Sequence, residues 1–306
     1  MRRLLIFSLF LCLAGDFGCS LKKKAVNTLA DVLGKAETVY LSDDDPELVE
    51  AALPFNLKTI ETLLQSSPKH PGLLLTATKG FVFYTYGFVE PEADRVEDED
   101  FYRALEIRRR ASRLYSRAFH YGLRGLEVRH PGISSRLSRS PTEASLALDR
   151  EDVPLAVWTA ASLGLLVGVS LDDPEKTADI AVVGALLERA LELDPTYDEG
   201  TIHEFLVLYE SEVVGGSTRR ARDHFQQALR LSGGKRCSIW LTWAESISVS
   251  AQNRAEFDQL VDKAENCDLG SAPANLLLNT LAQRRARWLK AHEGDLFLEN
   301  GGGHEQ

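Results

Sequence analysis

The chain has 306 residues, with 35 basic and 45 acidic side chains, which gives a net charge of −10. An acidic protein is repelled by nucleic-acid phosphates, so the composition excludes nucleic acid as an expected partner. A chain of this length buries roughly three quarters of its unfolded surface on folding, so it can form a large apolar core without additional cross-links.

The first 18 residues have the features of a secretory signal peptide. Arg2 and Arg3 form a positive start, and residues 4–14 are apolar apart from Ser8. This apolar run is too short to span a bilayer. No later stretch reaches about 18 apolar residues, so we expect membrane attachment through a lipid anchor only.

Cys19 is the predicted lipid attachment site. Gly18 supplies the small residue that lipoprotein signal peptidase requires, whereas Asp16 stands where lipoproteins carry an apolar residue. The alternative is an ordinary cleaved signal peptide without lipid. We favour the lipoprotein, with residues 19–40 as tether and first helix, because the sequence SLKKK at 20–24 suits a polar tether. Two or three acyl chains would then anchor the protein stably. Ser20 is not the aspartate that retains lipoproteins at the inner membrane, which favours the outer membrane, facing the periplasm.

Helical signals dominate the rest of the chain, and strand signals are almost absent. Asp45-Pro46 and Asp173-Pro174 each place an N-capping aspartate before a proline at the first helical position. Pro54 falls inside a predicted helix and should kink or restart it. The prediction is an all-α protein of about 11 helices, at 24–39, 46–66, 71–89, 100–123, 152–170, 174–193, 197–212, 217–231, 236–249, 253–266 and 272–292.

Two stretches interrupt the regular pattern. Residues 89–99 hold a proline and six acidic side chains, and are predicted to be a loop. Residues 130–152 hold two prolines and five serines, with room for a short helix at 141–149. No long Gly/Ser linker divides the chain, so we expect one domain over 41–298 and a disordered tail at 299–306.

A small–large–small stripe recurs along the chain. Ala111, Tyr115 and Ala118 stand at i, i+4 and i+7, so they share one helix face. The last alanines of successive copies are 72, 38 and 36 residues apart, near the tetratricopeptide period. The pattern predicts a helical-repeat scaffold with close helix contacts. The other copies are Val183, Leu187 and Ala190, then Ala221, Phe225 and Ala228, then Phe257, Val261 and Ala264.

Two segments, at 73–86 and 156–169, are apolar on almost every side. Helices of this kind lie in the interior and are covered on both sides. An open repeat array would instead have amphipathic helices. We therefore predict a compact tetratricopeptide-like bundle that encloses a core, a cavity or a pore.

Cys237 and Cys267 remain once Cys12 is removed with the signal and Cys19 is lipidated. In an oxidising compartment they could pair, closing a loop of about 30 residues worth roughly 3–4 kcal/mol in the chain-entropy model. The sequence favours two separate buried thiols, because pairing needs a geometry that spacing does not supply. Without a CxxC motif they offer no zinc site.

The sequence lacks the motifs of common enzymes. It has no GxSxG, no Walker loop and no GxGxxG after a strand, and we predict no cofactor and no metal. The glycine-containing stretch 232–236 is interpreted as a helix C-terminus rather than a phosphate loop. Lys235 and Arg236 then open the next helix, where basic residues are mildly unfavourable, so we place their partners on Glu204 or Glu210 as a hypothesis.

His203 and Glu204 are the nearest approach to an acid–base pair, and they do not complete an HExxH motif. An enzyme therefore ranks last among the functions considered. His203 lies on an apolar helix, so a satisfied core position is preferred to a ligand position. The same interpretation comes first for Tyr84, Trp158 and Tyr209 taken singly, with a cavity lining as the alternative.

A basic stripe, RRARW at 284–288, lies on the last long predicted helix. The preferred interpretation is a solvated basic face with Trp288 packed inward. In the alternative, the stripe docks against an acidic patch of the same chain or of a neighbouring subunit.

Further segments form an ordered series along the chain. They are DDPE at 44–47, ALPF at 52–55, PGLLL at 71–75, YGLRGLE at 121–127, DVP at 152–154, WTAAS at 158–162, ERALELDP at 188–195, IHEF at 202–205, LSGGKR at 231–236 and LAQRRARW at 281–288. In order and density this series resembles the T-component family of tetratricopeptide-associated TRAP transporters. The resemblance extends from about residue 40 to residue 298.

The resemblance implies a periplasmic lipoprotein that forms a homotrimer, with a pore or hydrophobic cleft in each protomer. It also implies association with the periplasmic solute-binding P component of the transporter, and a small hydrophobic organic acid as ligand. No family motif assigns a ligand role to a residue. The expected ligand or pore lining is therefore chosen from the apolar helices and their polar neighbours: Tyr84, Trp158, His203, Glu204, Tyr209, Lys235 and Arg236.

The leading functional prediction is a non-enzymatic accessory lipoprotein of a TRAP-type transporter. The alternative is a generic tetratricopeptide lipoprotein of the envelope that binds a peptide or protein in its groove. That alternative predicts an open amphipathic superhelix, which the apolar segments at 73–86 and 156–169 disfavour.

Overall fold

The computed structural model describes residues 37–170 and 179–298, together with Thr28 and Val32. Within this part of the chain there are α-helices, short 3₁₀ turns and two π-helical segments, and no strand. The all-α prediction is confirmed. Several predictions fall outside the described residues: the signal peptide at 1–18, the lipidated Cys19, most of the helix at 24–39, the start of the helix at 174–193 and the tail at 299–306.

The first part of the fold runs from α1 to α8. The described elements are α1 (Glu37–Leu41), α2 (Pro46–Ser66), α3 (Pro71–Tyr84), the first π segment (Thr85–Val89), α4 (Glu90–Val96), α5 (Phe101–Arg129), α6 (Ile133–Arg139), α7 (Pro141–Ser145) and α8 (Val153–Gly168).

The second part runs from α9 to α15. Its elements are α9 (Ile180–Leu193), α10 (Thr201–Glu212), α11 (Thr218–Ser232), α12 (Ser238–Trp243), the second π segment (Ala244–Ser248), α13 (Arg254–Glu265), α14 (Leu276–Ala291) and α15 (Glu293–Leu296).

Capping side chains determine where several helices begin. Asp45 accepts a hydrogen bond at 2.9 Å from the backbone N–H three residues on, and Pro46 opens α2. The predicted restart at Pro54 is wrong, because α2 continues through it. Leu53 and Leu57, on either side of the exposed proline, are buried and hold the helix against α3.

The acidic stretch at 89–99 is mostly helical, so the predicted loop is wrong there. α4 follows directly on the first π segment, and Pro91 lies at this junction, where it does not end the helix. The acidic charges also have counter-ions. Asp94 pairs with Arg285 at 2.6 Å, and Glu97 accepts a hydrogen bond at 2.8 Å from Arg108.

α5 is longer than predicted, because its two glycines serve packing and do not end the helix. A Cβ at Gly122 would lie 2.3 Å from Thr159 Oγ1, and one at Gly125 would lie 2.4 Å from Leu155 Cδ2. Both contacts are far below van der Waals distance, so only glycine lets α5 approach α8 this closely.

The small–large–small stripes lie at helix contacts. Ala111, Tyr115 and Ala118 are fully buried on α5, which packs against α3 and α8. The copies on α9 and α13 are buried as well, and on α11 the two alanines are buried while Phe225 is half-buried. Small residues beside a large one allow close approach of two helices, as the spacing predicts.

α8 lies at the centre of the first part of the fold. It packs against α3, α5 and α9, and side chains all round it are buried. Its apolar residues join the largest core cluster, while Trp243 and Phe257 belong to a second cluster under α10 to α14. The interior position predicted for the segment at 156–169 is therefore confirmed.

Cys237 and Cys267 form a disulfide, so the prediction of two separate thiols is wrong. Cys237 precedes α12 and Cys267 follows α13, and their Cα atoms are 5.8 Å apart. The fold brings the start of one helix to the end of the next, a proximity that the sequence spacing could not show.

Candidate functional site

A partly open cavity of about 1200 Å³ lies between the helices of the described chain. Its walls come from α1, α2, α3, α4, α5, α8, α9, α10, α12 and α14. The cavity volume is larger than the ~300–1,000 Å³ typical of small-ligand pockets. Apolar side chains form much of its surface, among them Leu53, Val82, Phe83, Leu165, Phe205 and Leu281.

Arg285 of α14 joins two helices at one end of this cavity. Its Nη1 donates to Asp94 Oδ2 at 2.6 Å, and its Nη2 donates to Glu245 Oε2 at 2.7 Å. Desolvation lowers the pKa of Arg285, but the two carboxylates outweigh this effect and raise the pKa above its ordinary value. The guanidinium also lies over the Trp288 ring, 4.4 Å from its centroid. Arg285 is thus fully charged and fixed in position.

Glu90 lies one helical turn before Asp94 and lines the same part of the cavity. The hydroxyl of the buried Tyr115 donates a hydrogen bond to its Oε2. Desolvation raises the pKa of Glu90 to about 7, and the hydrogen bond from Tyr115 only partly offsets it. Near neutral pH this carboxyl group therefore exists in both protonation states.

Tyr86 completes this end of the cavity, four residues before Glu90. Although 52% of the Tyr86 surface is accessible, that surface faces the cavity. Desolvation, with the charges of Glu245 and Glu204, raises the pKa of Tyr86 above its ordinary value. We call Tyr86, Glu90, Asp94, Glu245 and Arg285 the Glu90 cluster.

The two π-helical segments carry part of the Glu90 cluster. Tyr86 lies in the first segment, Glu90 follows it directly, and Glu245 lies in the second. A π segment widens the helix by one residue per turn, which rotates the side chains beyond it relative to the preceding α-helix. Both segments border the cavity, and Arg285 links Asp94 of α4, the helix after the first segment, to Glu245 in the second.

Arg236 and Glu204 form a second polar group in the cavity wall. Arg236 is only 7% exposed, and its Nη2 donates to the Asp198 carbonyl oxygen at 2.7 Å. Its Nη1 lies 3.5 Å from Glu204 Oε2, while Thr242 donates to the other carboxylate oxygen of Glu204 at 3.2 Å. The hypothesis that Arg236 pairs with Glu204 is confirmed. Glu210 binds Arg220 instead, at 2.6 Å.

Two arginines on α5, Arg109 and Arg113, lie at the rim of the cavity. They are four residues apart, so they share one face of the helix. Both are exposed, and neither forms an ion pair with another described side chain. Arg108 differs from them, because Glu97 and Asp94 hold it.

The cavity contains some of the seven predicted lining residues and not others. Trp158, Glu204, Tyr209 and Arg236 line it. Trp158 packs edge-on against Phe205, with Lys79 Nζ 5.1 Å from the centre of its ring. The Tyr209 hydroxyl lies where a Cβ on Gly184 would be, so that glycine makes room for it.

Tyr84, His203 and Lys235 lie away from the cavity lining. The Tyr84 hydroxyl accepts a hydrogen bond at 3.0 Å from Arg110, and Lys235 is exposed. His203 Nδ1 lies 2.9 Å from His224 Nδ1, and desolvation lowers the pKa of His203 to about 4. His203 is thus a neutral, buried histidine in the α10–α11 contact.

The Glu90 cluster was not predicted, because its charged members look like solvent-exposed residues in the sequence. Glu90 and Asp94 lie in the acidic run predicted to be a loop, and Arg285 lies in the basic stripe interpreted as a solvated face. That interpretation is wrong for Arg285 and correct for Arg287, which is exposed. Arg284, also exposed, pairs with Glu47 at 2.6 Å. The i, i+4 spacing of Glu90 and Asp94 was the available signal.

Comparison with known proteins assigns the chain to a family. The family described as TRAP transporter T-component matches residues 42–297. The chain belongs to this family. An uncharacterized protein of Treponema pallidum (strain Nichols) is 32% identical over 308 residues, and the match covers 92% of this chain and 94% of that protein.

Membership of the T-component family makes the chain an accessory component of TRAP transporters, associated with other components of the transporter. The family is one of transporter components. An envelope location is consistent with this role. Among the described helices, none is both long and apolar enough to cross a membrane.

Proposed function

We propose that this T-component is a non-enzymatic accessory lipoprotein that binds the solute-binding P component of its transporter. The match to the T-component family over residues 42–297 carries this proposal. The signal-like start and Cys19 support a lipid anchor that holds the chain on the periplasmic side of the envelope, with the outer membrane favoured. The family resemblance further supports assembly as a homotrimer.

We also propose that the cavity binds a small, largely apolar organic acid. Its volume of about 1200 Å³ and its apolar walls suit such a molecule, whose affinity would come mainly from buried apolar area. Of the predicted lining residues, Trp158, Glu204, Tyr209 and Arg236 are placed to contact it. The carboxylate would lie at the rim, where Arg109 carries a charge that no described side chain balances.

A catalytic role is not part of the proposal. His203 faces His224, whereas Glu204 is held by Thr242 and Arg236. The single acid–base candidate of the sequence is therefore not assembled as a pair.

Co-purification with a receptor tests the main proposal. The full chain is tagged and mixed with each TRAP-type solute receptor encoded in the same genome, at low and at moderate salt. An unrelated periplasmic binding protein serves as the control. We expect one receptor to be retained at both salt concentrations and the control to be lost. Failure to retain any of these receptors would contradict the proposed partner.

A further inference from the structure

Glu90, a largely buried carboxyl group of the cavity wall, has no counter-ion among the described side chains. At this end of the cavity Asp94 and Glu245 share Arg285, and Glu204 faces Arg236. Among the described side chains, no lysine, arginine or histidine lies within ion-pair distance of Glu90. Its hydrogen-bond donor is the neutral hydroxyl of Tyr115.

The charges at this end of the cavity do not balance. With Glu90 ionised, four carboxylates, those of Glu90, Asp94, Glu204 and Glu245, face the two guanidinium groups of Arg236 and Arg285. Arg108 touches Asp94 at 3.2 Å, but Glu97 binds it more closely, at 2.8 Å. The excess charge is negative, and walls of low dielectric strengthen its effect on a ligand.

Tyr86 offers two further features that suit a cation. Its hydroxyl has no hydrogen-bond partner among the described residues, so an oxygen lone pair is free to accept. The accessible part of the side chain, 52% of its surface, faces the cavity, and the face of an aromatic ring attracts cations.

We propose that the Glu90 end of the cavity binds a primary ammonium group of a small, largely apolar ligand. Glu90 is the ion-pair partner of this group, and Tyr86 contacts it by its hydroxyl or its ring. A carboxylate at the same place would meet unpaired charge of its own sign, so the acid group of a ligand lies at the Arg109 rim. The inference depends on the proposed function in one respect: both take the cavity to be the ligand site.

Three probes with the same six-carbon apolar part test the inference: hexylamine, hexan-1-ol and hexanoate. Each is titrated calorimetrically into the full chain at about pH 8. We expect hexylamine to bind at least about tenfold more tightly than hexan-1-ol. Glu90→Gln should remove this advantage while it keeps the shape and the hydrogen bond from Tyr115. The matched control is Glu92→Gln, on the same helix but outside the cavity lining, and it should change nothing.

The pH dependence gives a second readout. Because the Glu90 pKa is about 7, roughly nine tenths of this group is ionised at pH 8 and a tenth at pH 6. Affinity for hexylamine should therefore fall about tenfold between pH 8 and pH 6 in the native chain, and stay constant in Glu90→Gln. The charged and titratable groups that face Glu90 from the surrounding elements are Tyr86, Asp94, Arg108, Tyr115, Glu204, Glu245 and Arg285.

Two results would overturn the inference. Hexan-1-ol could bind as tightly as hexylamine, or Glu90→Gln could leave hexylamine binding unchanged. If hexanoate binds and hexylamine does not, the inference fails while the proposed cavity function stands. If none of the three probes binds, the cavity is not a site for small amphiphiles and both proposals fail.

Discussion

Replacing Glu90 with glutamine should stabilise the protein at high pH and leave its stability unchanged at low pH. Glutamine has nearly the same shape as glutamate, and its side-chain oxygen can still accept the hydrogen bond from Tyr115. The substitution removes only the ability to ionise. It therefore isolates the free energy of holding this charge in the cavity wall.

The magnitude follows from the two pKa values of Glu90. Its ordinary value is 4.5, and in the fold it is about 7. The folded state therefore binds the proton more tightly, and stability falls as pH rises from about 4.5 to about 7. The shift corresponds to at most ~3 kcal/mol at 1.36 kcal/mol per pH unit. We expect Glu90→Gln to be about 1–3 kcal/mol more stable than the native chain at pH 8, and more stable by ~1 kcal/mol or less at pH 5.

Urea unfolding followed by far-UV circular dichroism, at pH 5 and at pH 8, measures this difference. Other titrating groups act equally in both chains and cancel in the comparison. Glu92→Gln is the control, because Glu92 lies outside the cavity lining and pairs with Arg95. It should show no pH-dependent change. A Glu90→Gln chain that is no more stable at pH 8 than at pH 5, relative to the native chain, would refute the reasoning.

Two further substitutions test packing and cross-linking. Gly125→Ala places a Cβ 2.4 Å from Leu155 Cδ2, and such overpacking should cost about 1–3 kcal/mol, seen as a lower Tm; an unchanged Tm would contradict the close α5–α8 contact. Cys237→Ser should lower the free energy of unfolding by roughly 3–4 kcal/mol, because Cys237 and Cys267 close a loop of 30 residues. A reducing agent should have the same effect on the native chain and none on Cys237→Ser, and equal sensitivity of both chains would argue against the bond.

Local signals were sufficient to predict most of the helices. Asp45 and Pro46 gave the start of α2, which begins and ends where the sequence predicts. The stripe of Ala111, Tyr115 and Ala118 identified the buried face of α5. These features depend only on residues near one another in sequence, so spacing and capping chemistry determine them.

The features that the sequence did not reveal depend on distant partners. Gly125 looks like the end of a helix until α8 is placed beside it. Glu90 looks like part of a solvated acidic run until the Tyr115 hydroxyl of α5 is placed beside it. About half of the candidate site could not be predicted, because only tertiary contacts determine whether a charged residue is buried.

The effect of Glu90 on the stability of the fold is connected with its proposed role in ligand binding. Where no ligand supplies a cation, an ionised Glu90 destabilises the fold, and an ammonium group there would remove that penalty. A residue that lowers stability yet lines the 1200 Å³ cavity fits a binding role better than a structural one.

Filling the cavity tests most directly whether it is the functional site of this T-component. Gly164 lines the cavity, and a Cβ there would meet only Val183 at 3.6 Å, an ordinary contact. Gly164→Trp should fold, keep its receptor partner and lose binding of hexylamine and hexanoate by at least about tenfold. Gly164→Ala, which adds little volume, should bind as the native chain does. Undiminished probe binding by a folded Gly164→Trp chain would contradict the assignment of the cavity as the ligand site.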